Sequence, residues 1–225
     1  MERKTRKDEQ WDYDGFWDNP SRAEKLEDWH KFALRMIPPA SKREKCLDMA
    51  SSGYFALQLK QRGYEVTPTY YDDRVSDSLR EKGLTPTKLD VTGRFPFEDS
   101  AFDMITCLEL IEHIKSPKNM MTEVGRVMKP DGTLLVSTPN ICYWWNRMKT
   151  LIGVWKPQDW DHIRFYTPYM LERMLGDFGF KVVERKSYNV IPHAVGILPE
   201  PVRVFELPGV LEGFSYDMIF KCKKK

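Results

Sequence analysis

Three residues in the middle of the chain, Glu109, Glu112 and His113, have side chains that could move protons. A carboxylate or an imidazole can accept a proton, and the ordinary pKa of histidine, about 6.5, suits proton removal near neutral pH. His113 is therefore our first candidate for a general base, and Glu109 and His162 are further catalytic candidates. The alternative for His113 is structural, with its ring capping a neighbouring carbonyl.

From Lys45 onward, strand and helix patterns alternate around these residues. Apolar runs predict strands at 46–49, 64–67, 84–91, 102–108, 132–137, 180–184 and 216–221, with helices at 53–60, 167–178 and from Ser116-Pro117 to Pro130. This succession predicts a parallel sheet with right-handed crossovers and an antiparallel edge pair. Ligands bind outside the carboxyl ends of such strands, where residues after the fourth strand lie. If Glu109 opens a helix, His113 shares its face.

Residues 1–42 are predicted to form an N-terminal helical cap, and residues 43–225 a single α/β domain. The cap holds an aromatic-rich segment at 11–17 and a helix pattern at 22–36 that stops at two prolines. An insertion at about 141–165, rich in tryptophan and basic residues, interrupts the α/β domain. We expect this insertion to act as a lid over a ligand cleft.

The acceptor side of that cleft is predicted to be lined by His162, Arg164 and Tyr166. Arg164 could hold a carboxylate or phosphate of an acceptor. The alternative is that Arg164 forms a surface ion pair.

The composition, with 41% hydrophobic and 30% charged residues among 225, is typical of a soluble globular protein. The net charge of +2 gives no strong case for a nucleic-acid partner, and the lysine-rich end is expected to be solvated. No apolar stretch could cross a bilayer and no secretory signal is present, so a cytoplasmic location without a membrane partner is expected. The four cysteines lack a C-x-x-C spacing, which argues against a disulfide frame or a zinc site.

Two longer motifs, FPFEDSAFDMI leading to ELIEHI at 95–114 and RVMKPDGTLLVSTPN at 126–140, closely resemble class I S-adenosylmethionine-dependent methyltransferases. Their order and spacing extend the resemblance over roughly 45–180. It implies a Rossmann-like α/β fold, with a mostly parallel seven-stranded sheet, an antiparallel edge hairpin and helices on both faces. It also implies S-adenosylmethionine as cofactor and S-adenosylhomocysteine as product.

The resemblance further implies a cofactor turn after the first strand. In that family an acidic residue precedes a G-x-G-x-G loop, whereas this chain keeps only Gly53 of the three glycines and is one residue shorter. The residues assigned to the turn are Asp48, Met49, Ala50, Ser51 and Gly53. An alanine or serine held in the left-handed region would cost about 1–2 kcal/mol, so binding would be weakened without being abolished.

Other cofactor contacts are assigned by the same resemblance. The ribose-binding carboxylate of the family falls on Tyr70, with Asp72 as a substitute two residues later. Asp90 and Val91 match the adenine-recognising position, and Cys107 at the end of the fourth strand completes the set. The alternative for Asp90 is a helix or turn cap.

A metal site is a further hypothesis. Glu109, Glu112, His113 and His162 resemble the two-Glu, two-His metal set of small-RNA 3′-terminal 2′-O-methyltransferases, which ubiquinone-pathway O-methyltransferases share in part. Such ligands would suit Mg²⁺, Mn²⁺ or Zn²⁺. Many metal-free relatives carry the same E-x-x-E-H run, so the sequence favours a site without a metal.

The leading interpretation is therefore transfer of a methyl group to an oxygen, or to a nitrogen, of a small molecule or glycan, as the segment at 161–167 resembles members with such acceptors. The alternative is a catalytically inactive pseudo-methyltransferase that serves as a binding or scaffold module, which the altered turn and Tyr70 favour. A nicotinamide-dependent oxidoreductase ranks third, because no G-x-G-x-x-G follows the first strand. Acceptor and oligomeric state are not encoded in these patterns.

Overall fold

Seven strands form one sheet in a computed structural model that describes residues 26–156, 162–188 and 213–225. The strands are β1 (Lys45–Met49), β2 (Glu65–Tyr70), β3 (Thr87–Lys88), β4 (Phe102–Leu108), β5 (Met128–Pro139), β6 (Phe180–Tyr188) and β7 (Asp217–Lys224). The aromatic segment at 11–17 and most of the stretch between the last two strands lie outside the described residues.

The strand order is β3-β2-β1-β4-β5-β7-β6. The first five strands pair in parallel, whereas β7 runs antiparallel to both β5 and β6. This confirms the predicted mostly parallel sheet with an antiparallel edge hairpin. The chain leaves β1 toward one edge and returns through β4 on its other side, so the topological switch point, where ligands bind in open α/β sheets, lies between β1 and β4.

Six α-helices of the described chain cover the sheet. They are α1 (Asp28–Met36), α2 (Tyr54–Gln61), α3 (Asp73–Glu81), α4 (Pro117–Val127), α5 (Trp144–Leu151) and α6 (Pro168–Asp177). One buried core cluster joins side chains of α1 and α2 to the sheet, and another joins those of α4 and α6. The helices therefore lie on both faces, as predicted, and the methionines of α4 are core residues.

The described part of the predicted cap packs on the main core. The Phe32 ring of α1 stacks on the Tyr188 ring of β6, with centroids 4.1 Å apart. Arg62 donates to the carbonyls of Leu34 and Ile37 at the end of α1. Stacking and hydrogen bonds both fix α1 to the α/β domain. The boundary at residue 42 stays a prediction.

Two predicted strands have other limits in the structure. The strand expected at 84–91 is only Thr87–Lys88, because Leu84 instead packs in the small core under α3. The strand expected at 132–137 begins at Met128, so α4 passes directly into β5 without the predicted turn. Gly132 is required there, since a Cβ would lie 2.6 Å from Met128 Cγ and 2.9 Å from the Lys129 carbonyl.

Arg126 shows that part of the recognised motif is architectural. Its guanidinium donates to the carbonyls of Phe95 and Phe97 and to the carboxylates of Asp99 and Glu123. These bonds tie the loop before β4 to the last turn of α4. The motif residues at 95–99 therefore fix the entry into β4.

The lysine-rich end forms the last turns of β7. The ammonium groups of Lys221, Lys223 and Lys225 donate to backbone carbonyls of the domain at 3.0, 2.6 and 2.7 Å. These contacts differ from the expected solvated tail. No helix among the described residues combines the length and apolarity that crossing a membrane requires.

Candidate active site at the carboxyl ends of the strands

Asp48 is buried at the end of β1, beside the switch point. Thr106 of β4 donates to its Oδ1 at 2.7 Å, whereas Oδ2 has no partner within the described chain. Burial raises the pKa of Asp48 from 3.8 to about 6, and hydrogen bonds from Ser51 and Thr106 offset part of this rise. An unpartnered buried carboxylate oxygen costs free energy, so this position is suited to a ligand that donates a hydrogen bond.

The turn after β1 folds back on β2. Ala50 has a φ of 54°, the left-handed value that the glycine-poor turn was expected to force on a non-glycine residue. The Ala50 and Ser51 N–H groups donate to the hydroxyl and carbonyl oxygens of Thr69 at 3.2 and 3.0 Å. Gly53, with a φ of 88°, donates to Ser51 Oγ at 3.0 Å. Three N–H groups of the turn are therefore bonded within the protein.

Replacing Ala50 by glycine should relieve the left-handed strain. We expect Ala50→Gly to raise the free energy of unfolding by about 1 kcal/mol, after the entropy that glycine gains in the unfolded chain is subtracted. Ser100, with the same φ of 54° in an exposed loop, gives the matched control. Both glycine variants should be stabilised in urea titrations, but only Ala50→Gly should change the dissociation constant of S-adenosylmethionine. Destabilisation of both would contradict the strain argument.

The two ribose candidates differ in the structure. Tyr70 is half-buried at the end of β2 and packs against the core under α3. Asp72 is the N-cap of α3, and its two carboxylate oxygens accept from the backbone and the guanidinium of Arg74 at 2.6 to 2.9 Å. These bonds lower the pKa of Asp72 and occupy both oxygens. Asp72 is therefore a helix cap here, and a ribose contact by Tyr70 stays a prediction.

The adenine candidates lie in the loop before β4. Oδ1 of exposed Asp90 accepts from the N–H and hydroxyl of Thr92 at 2.8 and 2.7 Å, which is the turn-cap geometry. Asn119 of α4 donates to the carbonyls of Val91 and Gly93 and fixes this loop. The adenine contact by Asp90 and Val91 stays a prediction.

Met49 and Cys107 belong to the buried core beneath the site. They are neighbours in the pairing of β1 with β4. Burial raises the pKa of the Cys107 thiol, so it is kept protonated and behaves as a small apolar group. Their cofactor contacts stay predictions.

Glu109 follows β4 in a left-handed conformation, with a φ of 49°. Its N–H donates to the Ser137 carbonyl and hydroxyl, and that hydroxyl donates back to Glu109 Oε1 at 2.7 Å. The prediction that Glu109 opens a helix is wrong. The chain makes a single 3-10 turn at Ile111–His113, because the left-handed residue and the bonds to β5 turn the backbone away from a helical path.

Glu112 lies next to Glu109 and is 1% exposed. Thr138 donates to its Oε2 at 3.0 Å, while Oε1 has no donor within the described chain. Burial raises the pKa of Glu109 to about 7. Burial and the charge of Glu109 raise the pKa of Glu112 well above 4.5. The two carboxyls are within hydrogen-bond reach, and such a bond requires a proton that the pair holds near neutral pH.

The structure brings His113 and His162 together. Their rings meet edge to face, with centroids 4.7 Å apart. The contact is fixed by backbone, since the Glu112 carbonyl accepts from the N–H groups of Ile163 and Arg164 at 3.1 and 3.0 Å. His113 is buried and His162 is half-buried, so the pair lies at the edge of the site.

Three members of the predicted metal set are close to one another. Glu112, His113 and His162 each offer a ligand atom, and these atoms all lie within 4.8 Å of each other. Glu109 is not in this group, because Ser137 holds its carboxylate. The geometry could therefore hold a divalent cation with mixed oxygen and nitrogen ligands.

Arg164 and Tyr166 have structural contacts. Arg164 donates to the carbonyls of Ile114 and Lys115 at 2.5 to 3.1 Å, so neither an ion pair nor an acceptor is needed to explain its place. Tyr166 is buried in the core and forms a single parallel bridge with Asn140. Both residues hold the segment at 162–167 against the end of β5. Their contact with an acceptor stays a prediction.

Sequence reasoning missed the hydroxyl residues that position the acids. Thr69, Thr106, Ser137 and Thr138 are buried near the carboxyl ends of β2, β4 and β5. Each bonds to the cofactor turn or to one of the buried carboxylates. Hydroxyl residues at the ends of predicted apolar strands were the signal that could have found them.

The residues at the switch point fit the cofactor that the resemblance implies. S-adenosylmethionine carries an ammonium donor and polar ribose and purine groups. Asp48 Oδ2 and Ser52 Oγ are buried without a partner in the described chain, so each lacks a hydrogen bond that such a ligand could form.

Comparison with known proteins gives matches in sequence and in structure. A family model described as a methyltransferase domain matches residues 21–185. A ubiquinone biosynthesis O-methyltransferase of Burkholderia pseudomallei is 30% identical over 106 residues, which are 43% of this chain and 44% of that protein. One from Pseudomonas aeruginosa is 27% identical over 134 residues, or 56% and 58% of the two proteins. The matches thus span about half the length of these curated relatives.

Solved structures match over nearly the whole chain. A SAM-dependent methyltransferase from Thermotoga maritima has a TM-score of 0.71 at 19% identity, and the match covers 95% of this chain and 98% of that one. One from Archaeoglobus fulgidus has a TM-score of 0.67 at 17% identity and covers 95% and 100%. At such identities the likeness shows a common fold.

Proposed function

The chain belongs to the methyltransferase domain family, and from that premise we propose that it transfers a methyl group from S-adenosylmethionine to an oxygen, or less readily a nitrogen, of a small molecule or glycan. The acids with unpartnered oxygens at the switch point carry this proposal. Asp48 Oδ2 after β1 and Glu112 Oε1 after β4 are both buried without a donor in the described chain. Polar atoms of this kind mark a place that a polar ligand completes.

Asp48, Ser52, Asp90 and Val91 are the residues that would hold the cofactor. When bound, S-adenosylmethionine supplies a methyl group on a sulfonium, which an in-line nucleophile displaces. The protein's part is to orient the acceptor and to exclude water. The buried walls formed by Met49 and the end of β4 support that role.

The cluster of titratable groups after β4 favours oxygen as the methylated atom. A base is needed only when a hydroxyl must lose its proton. His113 would accept that proton, with Glu112 and His162 beside it. The relatives matched in sequence carry the name O-methyltransferase, which agrees with this direction.

Thermal unfolding with and without the cofactor tests the proposal. At one hundred times its dissociation constant, S-adenosylmethionine or S-adenosylhomocysteine should stabilise the protein by about 2.7 kcal/mol. Asp48→Asn should reduce the shift, because a carboxamide accepts a hydrogen bond from an ammonium more weakly than a carboxylate does. S-adenosylmethionine analogues without the amino group should bind wild type and this variant alike.

The second candidate is the pseudo-methyltransferase, a binding module without activity. It is favoured by the turn after β1, where Ala50, Ser51 and Gly53 use their N–H groups within the protein. Absence of any shift with millimolar cofactor would select this alternative. A shift without methyl transfer to any acceptor would assign cofactor binding alone.

A further inference from the structure

Helix α5 has its apolar and polar sides reversed. Its one buried residue is Asn146, whereas Trp145, Met148 and Ile152 lie along one exposed face at spacings of three and four. Met148 is 48% exposed, Ile152 68%, and Leu151 beside them 80%. A helix on a water-exposed surface normally buries its apolar side. The reversal therefore indicates that something other than water covers this face.

The exposed face extends beyond the helix. Val154 is also exposed, and Trp155 contacts the exposed Phe165 ring with centroids 5.5 Å apart. We call the whole area the α5 surface, and it consists of the exposed side chains of Trp145, Met148, Leu151, Ile152, Val154 and Phe165. A contiguous apolar area of this kind marks an interaction site.

The α5 surface is accompanied by positive charge. Between residues 140 and 156 the chain has three basic residues, Arg147, Lys149 and Lys156, and no acidic one. Lys149 is exposed and follows Trp145 by four residues, so it lies on the same face of α5. Lys156 is exposed next to Trp155. Apolar and cationic groups therefore face the solvent together.

We propose that the α5 surface docks on an anionic membrane surface. Tryptophan and aliphatic side chains enter the interface between headgroups and acyl chains, and flanking lysines pair with lipid phosphates. A second copy of the chain fits less well, because a two-fold contact would bring Lys149 and Lys156 of both copies together without a carboxylate on this segment to neutralise them. The sequence analysis expected no membrane partner, and it examined spanning segments only.

Docking would place the candidate active site close to the bilayer. Phe165 follows Ile163 and Arg164, whose N–H groups are bonded to the Glu112 carbonyl. An amphiphilic acceptor held in the membrane would then reach the site from this side, a consequence that rests on the proposed function. The docking itself does not, since it is measured on the protein without cofactor or acceptor.

Co-sedimentation of the full chain with lipid vesicles tests the proposal. Vesicles of phosphatidylcholine with roughly one third phosphatidylglycerol should bind the protein, and phosphatidylcholine alone should bind it at least about tenfold more weakly. The double variant Leu151→Gln/Ile152→Gln should lose at least about tenfold in binding, and Lys149→Glu at least about fivefold. Val183→Gln, at an exposed apolar residue of β6, is the matched control and should bind as wild type.

Two further measurements keep the result clear. Unfolding curves check that the variants fold, which is expected because the substituted side chains are exposed. About 1 M salt should weaken binding, since the Debye length falls to about 3 Å. Wild type that stays in the supernatant, or a double variant that binds as wild type, would overturn the proposal. So would a dimer in sedimentation velocity that the double variant abolishes, because a second copy would then cover the surface.

Discussion

His113→Ala should lower the turnover number for methyl transfer to a hydroxyl by about 10²- to 10⁴-fold, the contribution usual for a positioned general base. His113 is buried beside Glu112, and its ring meets that of His162. The stabilisation of the protein by S-adenosylhomocysteine should be unchanged, because the cofactor contacts lie at the β1 turn. The measurement is transfer of a radiolabelled methyl group to whichever phenol or sugar of a panel wild type methylates fastest.

His30 provides the matched control for this substitution. It is also a buried histidine, but its ring stacks on Phe55 on the α1 side of the sheet, and burial lowers its pKa to about 4. His30→Ala should cost stability and leave the turnover number of the folded protein unchanged. Equal turnover of His113→Ala and wild type would assign His113 the structural role of capping a carbonyl.

The free energy of unfolding should fall by about 4 kcal/mol between about pH 5 and about pH 8, before the cofactor is added. The pKa of Glu109 is raised to about 7, and that of Asp48 to about 6. At 1.36 kcal/mol per pKa unit, Glu109 accounts for about 3 kcal/mol above pH 5 and Asp48 for about 1. The sign follows from burial, which favours the protonated acids in the folded state.

The window of this effect follows from the same values. The stability from the protonated acids is complete below the unfolded pKa values, near 4, and is lost as pH rises through 6 and 7. Glu109→Gln should therefore raise stability at pH 8 by about 3 kcal/mol and have little effect at pH 5. Urea titrations at both pH values measure it. Glu98→Gln, at an exposed glutamate, should change neither value, and equal behaviour of the two variants would refute the burial argument.

The local elements were predictable because apolar spacing and Gly/Pro positions depend on burial and backbone geometry near each residue. The limits of β4 agree with prediction at both ends, and α4 begins at Pro117 as its proline indicates. The left-handed strain of Ala50 also followed from local sequence, because a glycine position of the motif was filled by alanine. These features need no knowledge of distant contacts.

The site itself depends on which strands pair and in which register. Thr106 meets Asp48 across 58 positions because β1 and β4 are neighbours in register. His162 meets His113 because the Glu112 carbonyl binds the backbone at 163–164. The sequence by itself determined the strands, the helices and the types of residue at their ends. Only the tertiary structure decided which of these residues are buried together, because pairing between distant segments leaves no local periodicity, and burial is what sets their pKa values and chemistry.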